Sequence, residues 1–326
     1  MTKSQNRYFI FGPTKKYDLK HYVKIFILFF VDFYFKTLLF LISKRKINRK
    51  YYTSICAIFK NESHNLVEWL EFHKLLGIEH IYLYNNFSND NYQAVLYNYI
   101  KDGYVTIEEW PFENAQFTAY EHYYNNYRYE TQWVIFLDLD EFITPFYEIN
   151  INEWIKKFNY YPSVIVYWKM FGSSGKIEHD FNSLTIEQYT ISWDKMYNIG
   201  KSFINTDFDI STFDAMVHHA TTTKIKLFNF KIKFPPINEF KRFVKYDIHR
   251  VGIFNKEFSI QINHYWSKSY NYYLENKVKR GDVNNHERTI ETFFAHEIKN
   301  NASDFKIFKY IILLKNKLVS NRLNNE

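Results

Sequence analysis

The sequence predicts an α/β fold with a mostly parallel central sheet and an amphipathic helix near each end of the chain. Two observations lead to this fold class. Between residues 54 and 137, short apolar runs typical of buried strands alternate with segments of helical apolar spacing. Strands that alternate with helices need crossover connections, which place the strands parallel in one sheet. The 326 residues, of which 46% are hydrophobic, suffice for one large domain of this kind.

Local signals set the bounds of the elements. Gly77 is expected to end the first helix of this region, and Asp90 is expected to cap the second, which stops at Gly103. The predicted helices cover residues 66–76, 91–102 and 116–128, and the predicted strands cover 54–59, 80–84, 104–108, 133–137 and 164–168. Cys56, the only cysteine, is expected to be a buried apolar residue.

Both ends of the chain are basic. Residues 1–50 carry 12 Lys/Arg and two Asp, a net charge of +10, whereas residues 299–326 have a net charge of +4 and residues 51–298 one of −7. A nucleic-acid enzyme would carry its positive charge on the working domain, so nucleic acid is not an expected partner. Basic ends around an acidic middle favour an anionic membrane surface. We therefore divide the chain into a basic membrane-associating segment (1–50), a catalytic domain (51–298) and a basic C-terminal helix (299–326).

Residues 22–43 are apolar over a length that could span a bilayer, but charged residues interrupt them. Asp32 and Lys36 are spaced to pair on one helix face, and basic residues flank the segment on both sides. A membrane-spanning helix usually has more basic residues on one side than on the other. Because this segment is basic on both sides, we expect a helix that lies in the membrane interface. A single-pass span and a buried helix remain the alternatives.

Two carboxylates follow the most apolar predicted strand. Asp138 and Asp140 emerge at its carboxyl end, where ligands of parallel sheets bind. Mg²⁺ and Mn²⁺ take one or two carboxylates together with water and phosphate oxygens, so this motif predicts a divalent metal site. Capping of the next segment is the alternative. A second copy, Asp207 and Asp209, lies in a polar stretch and is expected to be a solvated loop.

Other polar residues at predicted strand ends are candidates for the same site. Asn61 and Glu62 could bind a ribose or base, or cap the following helix. His264 could complete a metal shell, or be a core histidine. Two tryptophans, Trp168 and Trp266, could stack on a sugar ring or belong to the core.

A glycine-rich turn after the strand at 164–168 lets backbone approach a sugar closely, so Gly172 and Ser173 are candidate acceptor contacts. A reaction in which a hydroxyl oxygen attacks needs a carboxylate that accepts the proton of that hydroxyl. Glu187 is the predicted base, and Asp180 and Asp214 are the alternatives.

Several motifs, in order, resemble glycosyltransferase family 92 between residues 52 and 281. The similar segments are 56–62, 68–73, 76–80, 82–90, Gln116 with Ala119 and Tyr120, 136–142, 171–175, 186–189 and 263–269. The resemblance implies a GT-A-type nucleotide-sugar-binding fold, inverting transfer, a UDP-sugar donor such as UDP-galactose and an oligosaccharide acceptor. At two positions the chain differs from its relatives: Asn85 replaces an aspartate at a base-recognition position, and Lys176 replaces a histidine near the acceptor.

The candidate donor-binding residues are accordingly Lys60, Asn61, Glu62, Asn85, Asn86, Asp90, Gln116 and Asp138. The sequence as a whole predicts an inverting, metal-dependent glycosyltransferase that acts on a cell-surface glycan such as lipopolysaccharide or capsule, with an oligosaccharide or glycolipid acceptor. Its expected location is the cytoplasmic face of a bacterial inner membrane. A nucleotidyltransferase of related fold and a non-catalytic glycan-binding protein are the alternatives.

Overall fold

The computed structural model describes residues 19–42, 44, 47–197, 199–208, 210–213, 223–227, 229–244, 257–279 and 288–323. Asp209 and Asp214, considered above, lie outside the described residues, as does the basic stretch before Leu19. The helices are α1 (Leu19–Leu41), α2 (Ser63–Leu75), α3 (Tyr92–Lys101), α4 (Gln116–Tyr127), α5 (Ile151–Ile155), α6 (Thr185–Gln188), α7 (Tyr270–Tyr273), α8 (Ile290–Glu297) and α9 (Ile311–Leu323).

The strands form one large sheet and two small ones. They are β1 (Tyr51–Phe59), β2 (His80–Asn85), β3 (Val105–Glu109), β4 (Thr131–Phe136), β5 (Glu141–Pro145), β6 (Ser163–Met170), β7 (Ile191–Trp193), β8 (Gly200–Asn205), β9 (Ile210–Phe213), β10 (Thr223–Leu227), β11 (Phe230–Phe234), β12 (Ile260–His264) and β13 (Asn300–Ser303). The eight-stranded sheet has the order β3-β2-β1-β4-β8-β6-β12-β5. Its first four strands are parallel, and β12 is parallel to β6. A mostly parallel sheet was predicted, and this is confirmed.

The core lies around β1 and β4, whose apolar runs predicted complete burial. Cys56 is fully buried beside Tyr82 of β2 and Phe136 of β4, and burial raises the pKa of its thiol well above the usual value. Trp69 of α2 is also fully buried, and its indole N–H donates a hydrogen bond of 2.9 Å to the carbonyl of Glu141. Helix α2 is thereby joined to the segment that follows the two predicted metal carboxylates.

Helix α1 is attached to the domain through the polar contacts of Asp32 and the aromatic contacts of Phe35. The sequence predicted an Asp32–Lys36 pair, but the carboxylate of Asp32 binds the guanidinium of Arg242 at 2.9 Å and the backbone N–H of Phe243 at 2.9 Å. Phe35, three residues further on, lies 5.1 Å from the ring of Phe243. Asp32 therefore faces the domain because it shares a helix face with Phe35. No helix in the described part of the chain has both the length and the apolarity needed to cross a bilayer.

The C-terminal segment contains a strand as well as the predicted helix. β13 pairs with β7, and a 3-10 turn over Lys306–Tyr310 leads into α9. Tyr310 lies 5.2 Å from the ring of Phe72 in α2. The chain after residue 298 thus packs against the α/β domain before the helix begins.

Candidate active site

One edge of the eight-stranded sheet brings most of the predicted site residues together. β5 begins at Glu141, which lies opposite His264 at the end of β12, and His264 is in register with Met170 at the end of β6. β8 runs antiparallel to both β4 and β6, so its first residues lie at the same edge. Because ligands of open α/β sheets bind beyond the carboxyl ends of the strands, this edge is the candidate active site.

Asp138 is held by two side chains from different elements. Its Oδ1 accepts a hydrogen bond of 3.1 Å from the amide of Gln116, the first residue of α4, and its Oδ2 lies 3.0 Å from the ammonium of Lys201 in β8. Lys201 is also 3.5 Å from Glu141. The backbone N–H of Asp138 donates to that glutamate at 3.0 Å. The structure thus joins Gln116 and Asp138, two of the candidate donor residues, and adds Lys201 and Glu141 to the group.

The charges of this group are set by its burial. Burial acts to lower the pKa of Lys201, but the carboxylates of Asp138 and Glu141 outweigh it and raise the pKa above the usual value. Burial raises the pKa of Glu141 well above its usual value although Lys201 opposes the shift. Lys201 therefore stays charged and neutralises Asp138, while Glu141 favours its protonated form.

Asp140 faces a different pair of groups. Its Oδ2 lies 2.8 Å from the ammonium of Lys277, and its Oδ1 lies 3.5 Å from Nε2 of His264. Burial acts to raise the pKa of Asp140, but Lys277 and then His264 outweigh it and hold the pKa well below the usual range. The carbonyl of Asp140 accepts a hydrogen bond of 2.9 Å from the N–H of Tyr265, which fixes the motif against the end of β12.

Asp140 and His264 fit a divalent metal ion. In the described part of the chain no group of three or more His, Cys, Asp or Glu side chains is arranged to hold an ion, and Asp140 and His264 form a pair. Cis ligands of an octahedral ion with bonds of about 2.1 Å lie about 3 Å apart, and the two atoms here are 3.5 Å apart. Nδ1 of His264 is buried without a hydrogen-bond partner among the described residues. Water and phosphate oxygens complete such shells.

The loops after β1 and β2 carry the predicted donor-binding residues and are tied to each other. Asn61, with a φ of 54°, accepts a hydrogen bond of 2.8 Å from the N–H of Asn89, and its own N–H donates to Ser88 at 2.9 Å. The carboxylate of Asp90 accepts from the N–H of Ser63 at 2.8 Å. Asp90 therefore caps α2, whereas the sequence predicted that it caps the following helix. An aspartate beside a helical segment can accept a hydrogen bond from any helix N-terminus nearby, and the sequence does not show which one the fold brings close.

Three more predicted donor residues near the same loops form hydrogen bonds, and a fourth is exposed. Asn85 is buried, and its amide donates to Glu109 at 2.6 Å and to the hydroxyl of Tyr92 at 2.9 Å. Asn86 donates to the carbonyl of Trp110 at 2.9 Å. The carboxylate of Glu62 accepts from the amide of Asn65 in α2. Lys60 is exposed at the end of β1, with its ammonium 5.7 Å from the centre of the Phe87 ring.

The predicted acceptor residues lie on the loops after β6 and β12. Ser173 donates two hydrogen bonds to the carboxylate of Glu297 in α8, from its N–H at 2.9 Å and from its hydroxyl at 2.7 Å. A Cβ on Gly172 would lie 1.6 Å from the side-chain amide nitrogen of Asn300, so a larger residue there would require Asn300 to move. Burial acts to raise the pKa of Glu297, but His296 and Ser173 lower it below the usual value.

Two tryptophans border this region. The Trp168 ring lies 4.7 Å from that of His264, and the Trp266 ring lies 4.8 Å from that of His296. Trp168 is 7% exposed, whereas Trp266 is partly exposed. Trp168 therefore packs against His264 in the core, whereas Trp266 exposes more of its ring.

Comparison with known sequences decides the identity of this fold. The sequence model of Glycosyltransferase family 92 matches residues 49–306, which is most of the chain and includes the whole edge just described. The chain belongs to glycosyltransferase family 92. The resemblance noted from its motifs is thereby confirmed.

Curated relatives of this family 92 transferase come from plants. A glycosyltransferase family 92 protein of Ricinus communis is 34% identical over 100 residues, which is 30% of this chain and 17% of the relative. One of Oryza sativa subsp. japonica is 31% identical over 90 residues, 27% of this chain and 15% of the relative. The aligned part is thus less than a fifth of either relative's length.

Among solved structures, this transferase is similar to Staphylococcus aureus TarS. For TarS 1–349 the identity is 13% and the TM-score 0.33, with 48% of this chain and 47% of that chain covered. A second TarS 1–349 structure, in complex with UDP, gives 13% and 0.31 over the same shares. The family assignment rests on the sequence match and not on these structures.

The predicted base of the family 92 transferase lies apart from the carboxylate cluster. Glu187 is in α6, and its carboxylate binds the ammonium of Lys315 in α9 at 2.6 Å. No hydrogen bond or ion pair in the described part of the chain joins Glu187 to Asp138, Asp140 or His264. Asp180 is exposed and accepts a hydrogen bond of 2.9 Å from the N–H of Asn182 in its own loop.

Four residues of the site were missed by sequence reasoning. Glu141 had a signal, because it directly follows the two aspartates. Lys201, Lys277 and Glu297 had none, because each lies in a different element more than 60 residues away and a single lysine or glutamate has no local signature. Glu297 also lies beyond residue 281, where the motif resemblance ends.

Proposed function

We propose that this transferase is inverting and metal-dependent and moves a sugar, such as galactose, from a UDP-sugar to a cell-surface glycan such as lipopolysaccharide or capsule. The observation that carries the proposal is the ionised Asp140 beside His264 at the carboxyl edge of the sheet, 3.5 Å apart. A carboxylate and an imidazole at this distance provide one hard oxygen ligand and one nitrogen ligand on one side of an ion and leave its other positions for phosphate and water.

Asp140 and His264 would hold Mn²⁺ or Mg²⁺, which would supply charge stabilisation to the departing nucleoside diphosphate. Asp138 has a different role in this proposal, because Lys201 already neutralises it at 3.0 Å and Gln116 binds its other oxygen. Its fixed carboxylate is suited to orient the donor by accepting hydrogen bonds from ribose hydroxyls. The hydrogen-bonded loops after β1 and β2 support the nucleotide next to it.

Inverting transfer requires a carboxylate that accepts the proton of the acceptor hydroxyl while that oxygen attacks the anomeric carbon. We assign this role to Glu187. Its carboxylate is 37% exposed and its Lys315 partner is 50% exposed. Exposed ion pairs contribute only about 0–1 kcal/mol, so Glu187 can release Lys315 when an acceptor binds.

The proposed acceptor is an oligosaccharide on a lipid carrier, reached from the cytoplasmic face of a bacterial inner membrane. Helix α1 supports this location, because one of its faces binds the domain through Asp32 and Phe35 while large apolar side chains are exposed around the rest. The exposed residues are Val23, Phe26, Ile27, Phe29, Phe30, Phe33, Tyr34, Phe40 and Leu41. A helix of this composition inserts its rings at an anionic interface, where each nearby Lys or Arg adds about 1 kcal/mol.

A donor screen tests the proposal. The full-length protein is incubated with a panel of nucleotide sugars and lipid-linked oligosaccharide, with Mn²⁺ or with excess chelator, and nucleoside diphosphate release and product anomer are measured. We expect one UDP-sugar to be consumed, only with metal, and the product anomer to be inverted. Full activity in chelator would refute metal dependence, and a retained anomer would refute inversion.

A further inference from the structure

The ammonium of Lys277 occupies the side of Asp140 that does not face His264. It lies 2.8 Å from Oδ2 of Asp140, whereas His264 approaches Oδ1. Lys277 belongs to a π-helical turn, Leu274–Lys279, which continues α7. π-Helical turns are rare and occur frequently at functional sites. His264 at the end of β12 and Lys277, 13 residues later in the chain, therefore contact the same carboxylate, that of Asp140.

Lys277 and Lys201 hold the two aspartates in different ways. Lys201 is completely buried, lies on a strand and contacts a second carboxylate, Glu141, at 3.5 Å. The side chain of Lys277 is 22% exposed, and the turn that carries it borders solvent. A strand-bound, fully buried lysine cannot leave its partner without a large desolvation cost. A partly exposed lysine on a long flexible stem can do so.

We propose that Lys277 is an exchangeable counter-ion, which neutralises Asp140 in the donor-free enzyme and moves to the diphosphate of the nucleotide sugar when Asp140 binds the metal. This inference rests on the proposed function and adds a diphosphate-binding residue to it. The charges balance in both states. Before binding, one ammonium offsets one carboxylate; afterwards, the divalent ion and the ammonium together offset the carboxylate and the two negative charges of the nucleotide-sugar diphosphate.

The same ammonium is placed to assist the reaction. When the bond between the anomeric carbon and the diphosphate oxygen breaks, its electron pair stays on that oxygen, and the diphosphate gains a third negative charge. The acceptor oxygen forms the new bond to the anomeric carbon, and its proton goes to the base. A cation near the diphosphate stabilises the charge that develops there.

The movement that Lys277 needs is short. A phosphate oxygen and a carboxylate oxygen that share one ion lie within about 4 Å of each other, since each metal–oxygen bond is about 2.1 Å. Lys277 starts 2.8 Å from the carboxylate. A change of side-chain rotamer is therefore sufficient, and the backbone of the π-helical turn can stay in place.

Lys277→Gln tests the inference, with Lys279→Gln as the matched control from the same exposed turn. Mn²⁺ binding to the donor-free protein is measured by electron paramagnetic resonance of the free ion. We expect Lys277→Gln to bind Mn²⁺ about threefold to tenfold more tightly, because the competing ammonium is gone. The variant should at the same time show a raised KM for the UDP-sugar and a lowered kcat. Lys277→Arg should recover part of both donor parameters, and Lys279→Gln should match the wild type.

Loss of the Lys277 ammonium should strengthen Mn²⁺ binding and weaken use of the donor, and a general loss of structure would not produce this combination. An unchanged melting temperature of Lys277→Gln shows that the variant is folded. Mn²⁺ affinity in this variant that equals or falls below that of the wild type would overturn the exchange. Tighter Mn²⁺ binding with unchanged donor KM and kcat would overturn the transfer to the diphosphate. A wild-type protein that binds no Mn²⁺ even in the presence of the UDP-sugar would instead refute the metal-dependent function on which the inference rests.

Discussion

Lys201 and Asp138 form an ion pair of 3.0 Å in which the lysine side chain has no exposed surface. The pair joins β8 to the residues that follow β4, and Glu141 lies 3.5 Å from the same ammonium. Removing one partner of a buried pair leaves the other charge without compensation. The position of Asp138 at the donor site therefore depends on a lysine that lies 63 residues away in the chain.

Lys201→Met should destabilise the protein by about 1–3 kcal/mol, because Asp138, whose side chain is 28% exposed, and the buried Glu141 would lose the ammonium that they share. The free energy of unfolding in urea measures this loss. Lys156→Met is the control, since Lys156 is exposed and pairs with Glu153 three residues away; its effect should stay within about 0.5 kcal/mol. A loss below about 1 kcal/mol in Lys201→Met would contradict the structural role of the pair.

Asp140→Asn and His264→Gln should each lower kcat by about 10²-fold or more and weaken Mn²⁺ binding, because each removes a ligand of the ion that stabilises the leaving diphosphate. Steady-state kinetics at saturating donor, together with a Mn²⁺ titration, measures both effects. Asp207→Asn is the control from the second Asp-x-Asp copy: Asp207 pairs with Arg49 at 3.3 Å, and its removal should change kcat little. If the Mn²⁺ affinity is unchanged in both site variants, the metal does not bind at Asp140 and His264.

Glu187→Gln should lower kcat strongly and leave the donor KM nearly unchanged, because it removes proton acceptance and little else. Glu297→Gln serves as the comparison, since its carboxylate accepts two hydrogen bonds from Ser173 and is expected to affect mainly the acceptor KM. The two variants are assayed over full donor and acceptor concentration ranges. If Glu297→Gln shows the kcat effect and Glu187→Gln does not, the base is Glu297.

Gly172→Ala should disturb the acceptor loop, because its Cβ would lie 1.6 Å from the amide nitrogen of Asn300. Forcing an extra methyl group into such a contact costs about 1–3 kcal/mol. We expect a lower melting temperature and a raised acceptor KM, and combination with Asn300→Ala should restore part of both. Gly175→Ala is the control, because no atom lies within 4 Å of the position of the new Cβ. It should lower the melting temperature only through the strain of an alanine at positive φ. No rescue by Asn300→Ala would show that the clash is not the cause.

Replacing Phe29 and Phe33 of α1 by serine should reduce binding to anionic liposomes without affecting the fold, because both rings are more than half exposed. Flotation at low and high salt measures binding, and circular dichroism checks the fold. Salt should weaken binding of the wild type only in part, since the inserted rings act independently of charge. Phe35→Ser is the contrasting variant: Phe35 is 4% exposed and packs on the domain, so its loss should lower stability. Wild-type binding that ignores lipid charge would contradict an anionic interface.

Much of the fold could be predicted from the sequence, because each element of the first half carries its own local signal. The apolar run before Asp138 predicted β4, and glycines at 77 and 103 marked the ends of α2 and α3. His264 was a candidate for the metal shell of Asp140, and the structure places the two side chains 3.5 Å apart although 124 residues separate them. Their proximity follows from the pairing of β12 with β5.

Partners chosen by tertiary packing could not be predicted. Asp32 had a suitable partner four residues away and instead binds Arg242, 210 residues later. Asp90 carried a valid cap signal but caps the preceding helix. In both cases a short polar side chain has several possible partners, and the choice depends on which surface its element buries.

The position of β5 in the sheet order has a consequence for the two aspartates. β4 and β5 are separated by only residues 137–140, yet β8, β6 and β12 lie between them in the sheet. Four strand spacings would cover about 19 Å on a flat sheet, which is more than this short turn can reach. The sheet must therefore curve so that β4 and β5 approach each other, and the turn that carries Asp138 and Asp140 connects the two strands. Deleting one residue from this turn would require a stronger curvature of the sheet.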